Sequence, residues 1–354
     1  MEWFLKLPLQ IQTSLIAALV AISVGFLKDL IFWYWKESYE IKKTEINIFR
    51  AYAKPLAVAS ESLFWRLVEV LYTEGRGDFL YNKSNRTDFE EYKFKSTIYR
   101  LAALLGWLRA FRNELSYSVI FGVKKTTKFE SSISDFKSAL ADGPHVEFKV
   151  LEKVAKIWNI DLPSDTKSLE SIAISGTNLL KPKFKDHGVN SIKELPETEQ
   201  QNLCKSLSVV ICDKLNINKI SDSVLDETKY RIIECLSIRE AWIYRDWQDG
   251  IGDLMIRESK FGNRNFEVIG YYDFEENFLG NDSKYERWVK RLESLFDELD
   301  ISGKNKLDFR KSQLEKLLLS TASLLLTLSE VESNHTYISN KTKKKATEFI
   351  QKQN

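Results

Sequence analysis

The amino-terminal stretch from Leu7 to Leu27 contains no charged side chain over 21 consecutive residues. A helix needs about 20 predominantly apolar residues to cross the hydrocarbon core of a bilayer. Residues 30–35, which read Leu-Ile-Phe-Trp-Tyr-Trp, follow soon after it. Clustered Trp and Tyr side chains are typical of the membrane–water interface. The sequence therefore predicts a transmembrane anchor with an aromatic belt over residues 1–35, and a lipid bilayer as its partner.

Two other interpretations of this stretch stay open, a secretory signal peptide and a buried core helix. A signal peptide has a basic amino-terminal region and a small-residue cleavage site. Here Lys6 is offset by Glu2, and no such site precedes the aromatic cluster. The core helix is favoured by five polar side chains within the stretch: Gln10, Gln12, Thr13, Ser14 and Ser23. The length of the stretch favours the membrane span over both alternatives.

The distribution of basic residues predicts the orientation of the span. Lys6 precedes it, and five basic residues follow it: Lys36, Lys42, Lys43, Arg50 and Lys54. Because Lys and Arg accumulate on the cytoplasmic side of a membrane, we expect one pass, with the rest of the chain in the cytoplasm. The three cysteines form no Cys-x-x-Cys pair, which agrees with a reducing compartment.

The small number of turn-forming residues predicts a mainly α-helical fold. The chain has 14 Gly and 6 Pro among 354 residues, whereas β-sandwiches and barrels need a turn roughly every 8–12 residues. We expect one amino-terminal transmembrane helix and a cytoplasmic helical bundle with a less regular middle insertion. The expected divisions are the anchor (1–35), a first helical part (36–123), an elaboration or sensor region (124–227), a second helical part (228–334) and a basic tail (335–354) that is frayed.

Several individual elements are also predicted. Apolar residues spaced by three or four predict helices over about 96–119 and 227–255. Pro55 is expected to kink or restart the helix over residues 46–71. The apolar segment Leu317–Val331 is too short to span a bilayer and is interpreted as a buried core helix. Residues 266–272 read as a short strand followed by a turn into the next helix.

Searches for catalytic chemistry favour a protein that is not an enzyme. The chain contains no P-loop, dinucleotide-binding, serine-hydrolase or zinc-protease motif. Its three histidines lie far apart, which argues against a metal site, and its net charge of +2 provides no global attraction for nucleic acid. We therefore name no catalytic residue, cofactor or metal.

Two charged residues interrupt apolar stripes. Arg112 replaces an apolar residue in the stripe of the 96–119 helix, and Glu240 does the same in the 227–255 helix. Because an isolated buried charge costs several kcal/mol, buried charges pair. Two interpretations stay open: each side chain extends to the edge of the core, or the two form an ion pair that sets the helix register.

Three further groups are candidate binding residues. Gln12, Ser23 and Gly25 are predicted to form span-to-span contacts in a homo-oligomer, because small and polar residues mediate helix association in membranes. The basic residues Lys124, Lys125 and Lys128, and the tail residues Lys343, Lys344 and Lys345, are either solvated surface or anion-binding residues. Such anions include nucleic acid, a nucleotide or an acidic partner protein.

Four sequence patches, in this order, resemble a widespread family of uncharacterised bacterial proteins, most of which have an amino-terminal membrane span. The patches are Tyr52-Ala53-Lys54-Pro55-Leu56 with Leu63, Arg66 and Leu67; Ser96-Thr97-Ile98-Tyr99 with Leu105-Gly106-Trp107, Arg112 and Glu114; Tyr244-Arg245 with Gln248, Ile251-Gly252-Asp253 and Met255; and Ile269-Gly270-Tyr271 with Phe274. The resemblance does not extend to the region of about residues 124–227. It implies a bacterial helical domain, and hence the inner membrane, but no activity. The layout is also similar to that of single-span anti-phage effectors, in which a cytoplasmic sensor controls a membrane pore.

Two functional hypotheses follow from these observations. In the first, the protein is a membrane-anchored effector or scaffold whose helical domain senses a ligand or partner and whose spans oligomerise, as an ion-conducting pore in anti-phage defence. In the second, it is a membrane-tethered enzyme that acts on nucleic acid or nucleotides. The motif search favours the first.

Overall fold

A computed structural model describes residues 8–81, 86–114, 123–141, 146–187, 189, 192–237, 241–260, 262–279, 285–302, 308–331 and 337–352. Within these ranges, the side chains of residues 10, 12, 15–17, 19, 22, 42, 123, 146, 147, 177, 181 and 185 are not described. The described part of the chain contains twelve α-helices and one two-stranded sheet. The predicted mainly α-helical class is therefore confirmed.

The first helix, α1 (Leu9–Tyr72), runs for 64 residues without interruption. At a rise of 1.5 Å per residue its length is about 96 Å. Pro55 lies inside it, so the predicted restart at this proline is wrong. The neighbouring residues Tyr52 and Leu56 are fully buried, and their packing holds the helix together although a proline removes one backbone hydrogen bond. The helix ends just before Gly75, which has a positive φ of 69°.

Within the described residues, no helix combines the length and the apolar character that crossing a membrane requires.

The main core is built around the second half of α1. Helix α2 (Asp88–Glu114) packs between α1 and α8 (Arg245–Met255), and α11 (Arg310–Val331) packs against α1 and α3 (Val123–Ala141). The predicted core helix over 317–331 is confirmed as part of α11, whose leucines are almost all buried. The amphipathic faces of these helices cover one another, so one continuous hydrophobic cluster results.

A small hairpin and two short helices cover α2. Strands β1 (Ile256–Glu258) and β2 (Phe266–Val268) pair antiparallel, and α9 (Tyr271–Phe278) and α10 (Glu286–Glu293) follow. The short strand predicted within 266–272 is confirmed. Gly106 allows α2 to approach the end of α8, since a Cβ there would lie 2.7 Å from that of Met255.

The carboxy-terminal segment forms an ordered helix, α12 (Asn340–Gln351), so the prediction of a frayed tail is wrong. Ser339 caps its amino terminus by accepting a hydrogen bond from the Thr342 backbone N–H at 3.2 Å. Trp65 Nε1 on α1 donates to Thr342 Oγ1 at 2.9 Å, and Ala346 is fully buried. One apolar face and one cap hold this lysine-rich segment in place.

A second hydrophobic cluster lies in the middle of the chain. It contains α4 (Val146–Trp158), α5 (Thr166–His187), a 3-10 turn at Ile192–Glu194, α6 (Glu197–Leu215) and α7 (Asp222–Leu236). The region predicted to be less regular is thus also helical. Helix α3, which lies within the predicted elaboration, contributes its buried residues to the main core instead.

The predicted continuous helix over 227–255 is wrong. Helix α7 ends at Leu236 and α8 begins at Arg245, and residues 241–244 between them are not helical. Ile243 is buried, and its backbone N–H donates to Leu140 O on α3 at 2.9 Å. Gln248 Nε2 donates to Ile243 O at 2.7 Å. Hydrogen bonds to another helix therefore replace the intrahelical ones that periodicity predicts.

Candidate functional site

The first half of α1 exposes large apolar side chains. All six residues 30–35 are exposed, from Leu30 at 46% to Trp35 at 73%. Because successive helical residues lie about 100° apart, six of them cover the whole circumference. A helix that is apolar all round is typical of a buried or membrane environment, and exposed apolar surface of this size marks an interaction site. This segment is the candidate functional site.

The predicted span-to-span residues fall on two faces of α1. Gln12 and Ser23 are eleven residues apart and share one face, whereas Gly25 lies about 200° from Ser23. Ser14 and Ala21 lie on the same face as Gly25. A Cβ on Gly25 would have no atom within 4 Å, and Ser23 is exposed, while the Gln12 side chain lies outside the described part of the chain. Their role in self-association stays a prediction.

Aromatic side chains fix α1 where it enters the domain. Phe49 contacts Phe111 of α2 and Phe129 of α3, with ring centroids 6.0 and 5.9 Å apart and edge-to-face geometry. Tyr52 packs against Trp107 of α2 at 6.4 Å. Edge-to-face aromatic pairs of this kind stabilise by about 0.5–1.5 kcal/mol beyond burial of their area. These contacts attach α1 to the domain at the point where its exposed half ends.

A hydrogen-bond network supports this attachment. Tyr52 Oη donates to Glu114 Oε2 at 3.0 Å and accepts from the Phe266 backbone N–H at 3.0 Å. Asn265 Nδ2 donates to Glu114 Oε1 at 2.8 Å. Burial raises the pKa of Tyr52 to about 12, and the hydrogen bond to Glu114 contributes to the shift. Tyr52 therefore stays protonated and links α1, the end of α2 and the hairpin.

Arg112 lies near an ionic seam between α2, α3 and α8. Arg109 donates to both carboxylate oxygens of Asp253, at 2.6 and 3.1 Å, and the buried Lys137 pairs with Asp249. Burial lowers the pKa of Lys137, and the charge of Arg112 lowers it further.

Two carboxylates of this seam face three cations, so another carboxylate would balance the charges. Glu240 lies outside the described residues, and its pairing with Arg112 stays a prediction. Sequence reasoning missed Lys137, although its place four residues after Ile133 on an otherwise apolar face was a usable signal. The roles of Tyr52 and Glu114 are not apparent from the sequence, in which both residues stand out only as members of the family-like patches.

Three of the six predicted anion-binding lysines have partners within the chain. Lys125 Nζ donates to Val331 O at the carboxy terminus of α11, at 3.1 Å, and Lys128 pairs with Glu330. These two cations stabilise the negative end of the α11 dipole. Lys345 pairs with Glu348 at 3.2 Å.

Lys124, Lys343 and Lys344 are exposed. Anion binding by these six residues stays a prediction, and three of them already have partners within the chain. No group of three or more His, Cys, Asp or Glu residues that could hold a metal ion occurs in the described ranges.

No protein-family model, no curated protein and no solved structure is significantly similar to this chain.

Proposed function

We propose that this protein is a non-enzymatic effector or scaffold that is anchored in the bacterial inner membrane by the first half of α1 and self-associates there. The observation that carries the proposal is one uninterrupted helix with two environments. At residues 30–35 its first half is exposed and apolar around its circumference, whereas its second half forms the centre of the domain core.

Three features support a membrane location for residues 9–35. The stretch from Leu9 to Leu27 contains no charge, the exposed Trp and Tyr side chains of residues 33–35 match the interfacial belt, and more basic residues follow the stretch than precede it. In a bilayer, lipid chains would cover the side chains that the domain leaves exposed.

The two faces of α1 support self-association. The face with Ser14, Ala21 and Gly25 allows close approach of a second helix, and the face with Gln12 and Ser23 offers polar contacts. A pair of helices related by a twofold axis uses the same face of each. A closed ring instead brings two different faces of every helix into contact. Use of both faces therefore favours at least three copies, and a ring of spans is the arrangement that a pore requires.

The continuity of α1 supports coupling between domain and span. Since Phe49 and Tyr52 are buried and the helix is unbroken on either side of them, a rotation of the domain about its core moves the span as a rigid body. A ligand or partner that reorients the domains relative to one another thereby changes the packing of the spans. This is the behaviour expected of an effector, and it needs no catalytic residue.

Membrane fractionation tests the location. We expect full-length protein to remain in the membrane pellet after alkaline carbonate extraction. Val20→Arg combined with Val24→Arg is expected to move it to the supernatant, because each arginine near a helix centre costs about 2.5–3.5 kcal/mol on insertion. Tyr39→Arg, on the exposed stretch beyond the belt, is the matched control and should stay in the pellet. Full-length protein that is soluble without detergent would overturn the proposal.

Light scattering in mild detergent tests the association, and release of K⁺ from vesicles separates a pore from a scaffold. A particle of one chain at all concentrations would rule out self-association. Oligomers that release no small ions would leave the scaffold as the function.

A further inference from the structure

A cluster of buried cations lies between the second half of α1 and α2. Arg66 Nη1 lies 3.1 Å from Glu69 Oε2, and Lys93 Nζ lies 2.8 Å from Glu69 Oε1. Arg100 Nη1 donates to Ser62 O, one helical turn before Arg66, at 3.0 Å. Arg66 is only 5% exposed, and Lys93 is also buried. Two of these cations thus pair with Glu69, and Arg100 contacts α1 one helical turn before Arg66.

The charges in this cluster do not balance. Among the described residues, Arg66, Lys93, Arg76 and Arg100 against Glu69 leave a surplus of three positive charges. Burial raises the pKa of Glu69, but the hydrogen bond from Lys93 and the three cationic charges outweigh burial and lower it overall. Glu69 is therefore ionised and already shared.

Arg66 shows the imbalance most directly. Among the described residues, its Nε makes no hydrogen bond, and its Nη1 meets Glu69 without hydrogen-bond geometry. Burial lowers the pKa of Arg66, and the nearby charge of Arg100 lowers it further. A buried guanidinium without a full set of acceptors costs several kcal/mol, and a second like charge adds to that cost. An anion placed against Arg66 and Arg100 removes both penalties.

We propose that Arg66 and Arg100 form the binding site for a soluble phosphorylated ligand. A phosphate monoester carries about −1.5 to −2 charges at neutral pH, which offsets most of this surplus. The planar guanidinium fork suits phosphate because two parallel N–H groups meet two oxygens. The donors are the Arg66 Nε that lacks a partner and the guanidinium of Arg100.

The site has aromatic neighbours. Tyr92 is 49% exposed and lies within electrostatic range of both Arg66 and Arg100. Its ring stacks with that of the exposed Phe89 at a centroid distance of 6.4 Å. These two rings offer a surface for the non-phosphate part of a ligand.

The position along α1 favours a soluble ligand over a lipid headgroup. Arg66 lies 31 residues after Trp35, which corresponds to about 46 Å of straight helix. If residues 9–35 lie in the bilayer, lipid phosphates cannot reach the site. Only this exclusion of lipid rests on the proposed function. The charge argument holds wherever the protein is located.

Calorimetry with full-length protein in mild nonionic detergent tests the site. The probes are ribose 5-phosphate and ribose at matched ionic strength. We expect the wild type to bind the phosphate ester and not ribose. Arg66→Gln and Arg100→Gln each should weaken binding at least about tenfold, the equivalent of one charge-assisted hydrogen bond. Arg257→Gln is the control, because Arg257 already pairs with Glu267 and Asp273 at 2.9 Å each, and it should bind as the wild type does.

If Arg66→Gln folds poorly, thermal unfolding of Arg100→Gln in chloride buffer, with and without ribose 5-phosphate, tests the site instead. Arg100→Gln removes a like charge from Arg66 and should leave the melting temperature in chloride unchanged or higher, while it abolishes the stabilisation by ribose 5-phosphate. Equal responses of the wild type to ribose and its phosphate would overturn the proposal. So would an unchanged phosphate response in Arg100→Gln. Vesicles that contain phosphatidic acid should not compete, and competition would identify a lipid ligand. The outcomes with ribose 5-phosphate are independent of the fractionation result, whereas the vesicle expectation depends on it.

Discussion

The two halves of α1 are both rich in apolar residues, yet they have opposite surroundings. The second half is covered by α2, α11 and α12, and Tyr52, Leu56, Leu63 and Phe64 are fully buried. The first half, which is apolar around its whole circumference at residues 30–35, is exposed. The difference lies in the charged and polar residues of the second half, which restrict the apolar residues to the faces that neighbouring helices can cover. One helix therefore has an exposed part and a buried part, and their boundary is near Phe49.

The largest effect is expected from removal of the first half. Deletion of residues 1–35 should move the protein completely from the membrane pellet to the supernatant, because the domain core begins only at Phe49. Circular dichroism should show a helical protein that unfolds cooperatively. A deletion variant that stays in the pellet would place the membrane contact in another part of the chain.

Two phenylalanines, one in each half of α1, allow a direct comparison of the two halves. Phe64 is fully buried and contacts Phe349 of α12 at 6.1 Å, whereas Phe32 is 69% exposed. Phe64→Ala should lower the free energy of unfolding of the domain by about 3–5 kcal/mol, through lost burial and a cavity. Phe32→Ala should leave it within about 0.5 kcal/mol. Urea unfolding followed by tryptophan fluorescence measures both, and similar losses would show that the first half is part of the cooperative unit.

The boundary between the halves is probed by Tyr52→Phe. Loss of the hydroxyl removes the donor to Glu114 and the acceptor for Phe266, and should cost about 1–3 kcal/mol. The folded-state pKa of about 12 lies above the ordinary value of 10. The stability that Tyr52 contributes is therefore fully present below pH 10 and is lost as the pH rises from 10 towards 12.

Alkaline unfolding of Tyr52→Phe should accordingly show a weaker pH dependence than that of the wild type. Tyr230→Phe is a suitable control, because this tyrosine is exposed on α7. Identical pH profiles for Tyr52→Phe and the wild type would contradict the role assigned to the hydroxyl.

The smallest effect is expected within the first half itself. Gly25→Leu should block close approach of a second span and weaken self-association by about 1 kcal/mol, in the range of single contacts between helices in membranes. Ser23→Leu tests the opposite face. Sedimentation in detergent measures both. An effect of both changes supports a ring, an effect of one supports a pair, and an effect of neither contradicts contacts at these positions.

Helix existence was largely predictable, but helix ends were not. The apolar spacing of α11 and α2 and the buried character of 317–331 follow from residue periodicity alone. The continuity of α1 across Pro55 and the break between Leu236 and Arg245 do not. In both cases hydrogen bonds and packing between elements that are distant in sequence outweigh a local preference of a few kcal/mol.

The cation cluster could be predicted only in part. Arg66 stands next to Leu67 and three residues after Leu63, so its place at the edge of a buried face was readable. Its meeting with Lys93 and Arg100 depends on how α1 and α2 pack, which periodicity leaves open. The same holds for Lys137 and Asp249, which are 112 residues apart.

The sequence by itself determined that the chain is mainly helical and that residues 7–27 carry no charge. It also determined which helices have apolar faces. These properties depend only on composition and on spacing along one helix. The tertiary structure decided that the segment predicted as an anchor and the core segment belong to a single helix, that the lysine-rich end is ordered, and that cations of α1 and α2 pair with Glu69. Those outcomes depend on the free energy of contacts between separate helices, which no local pattern contains.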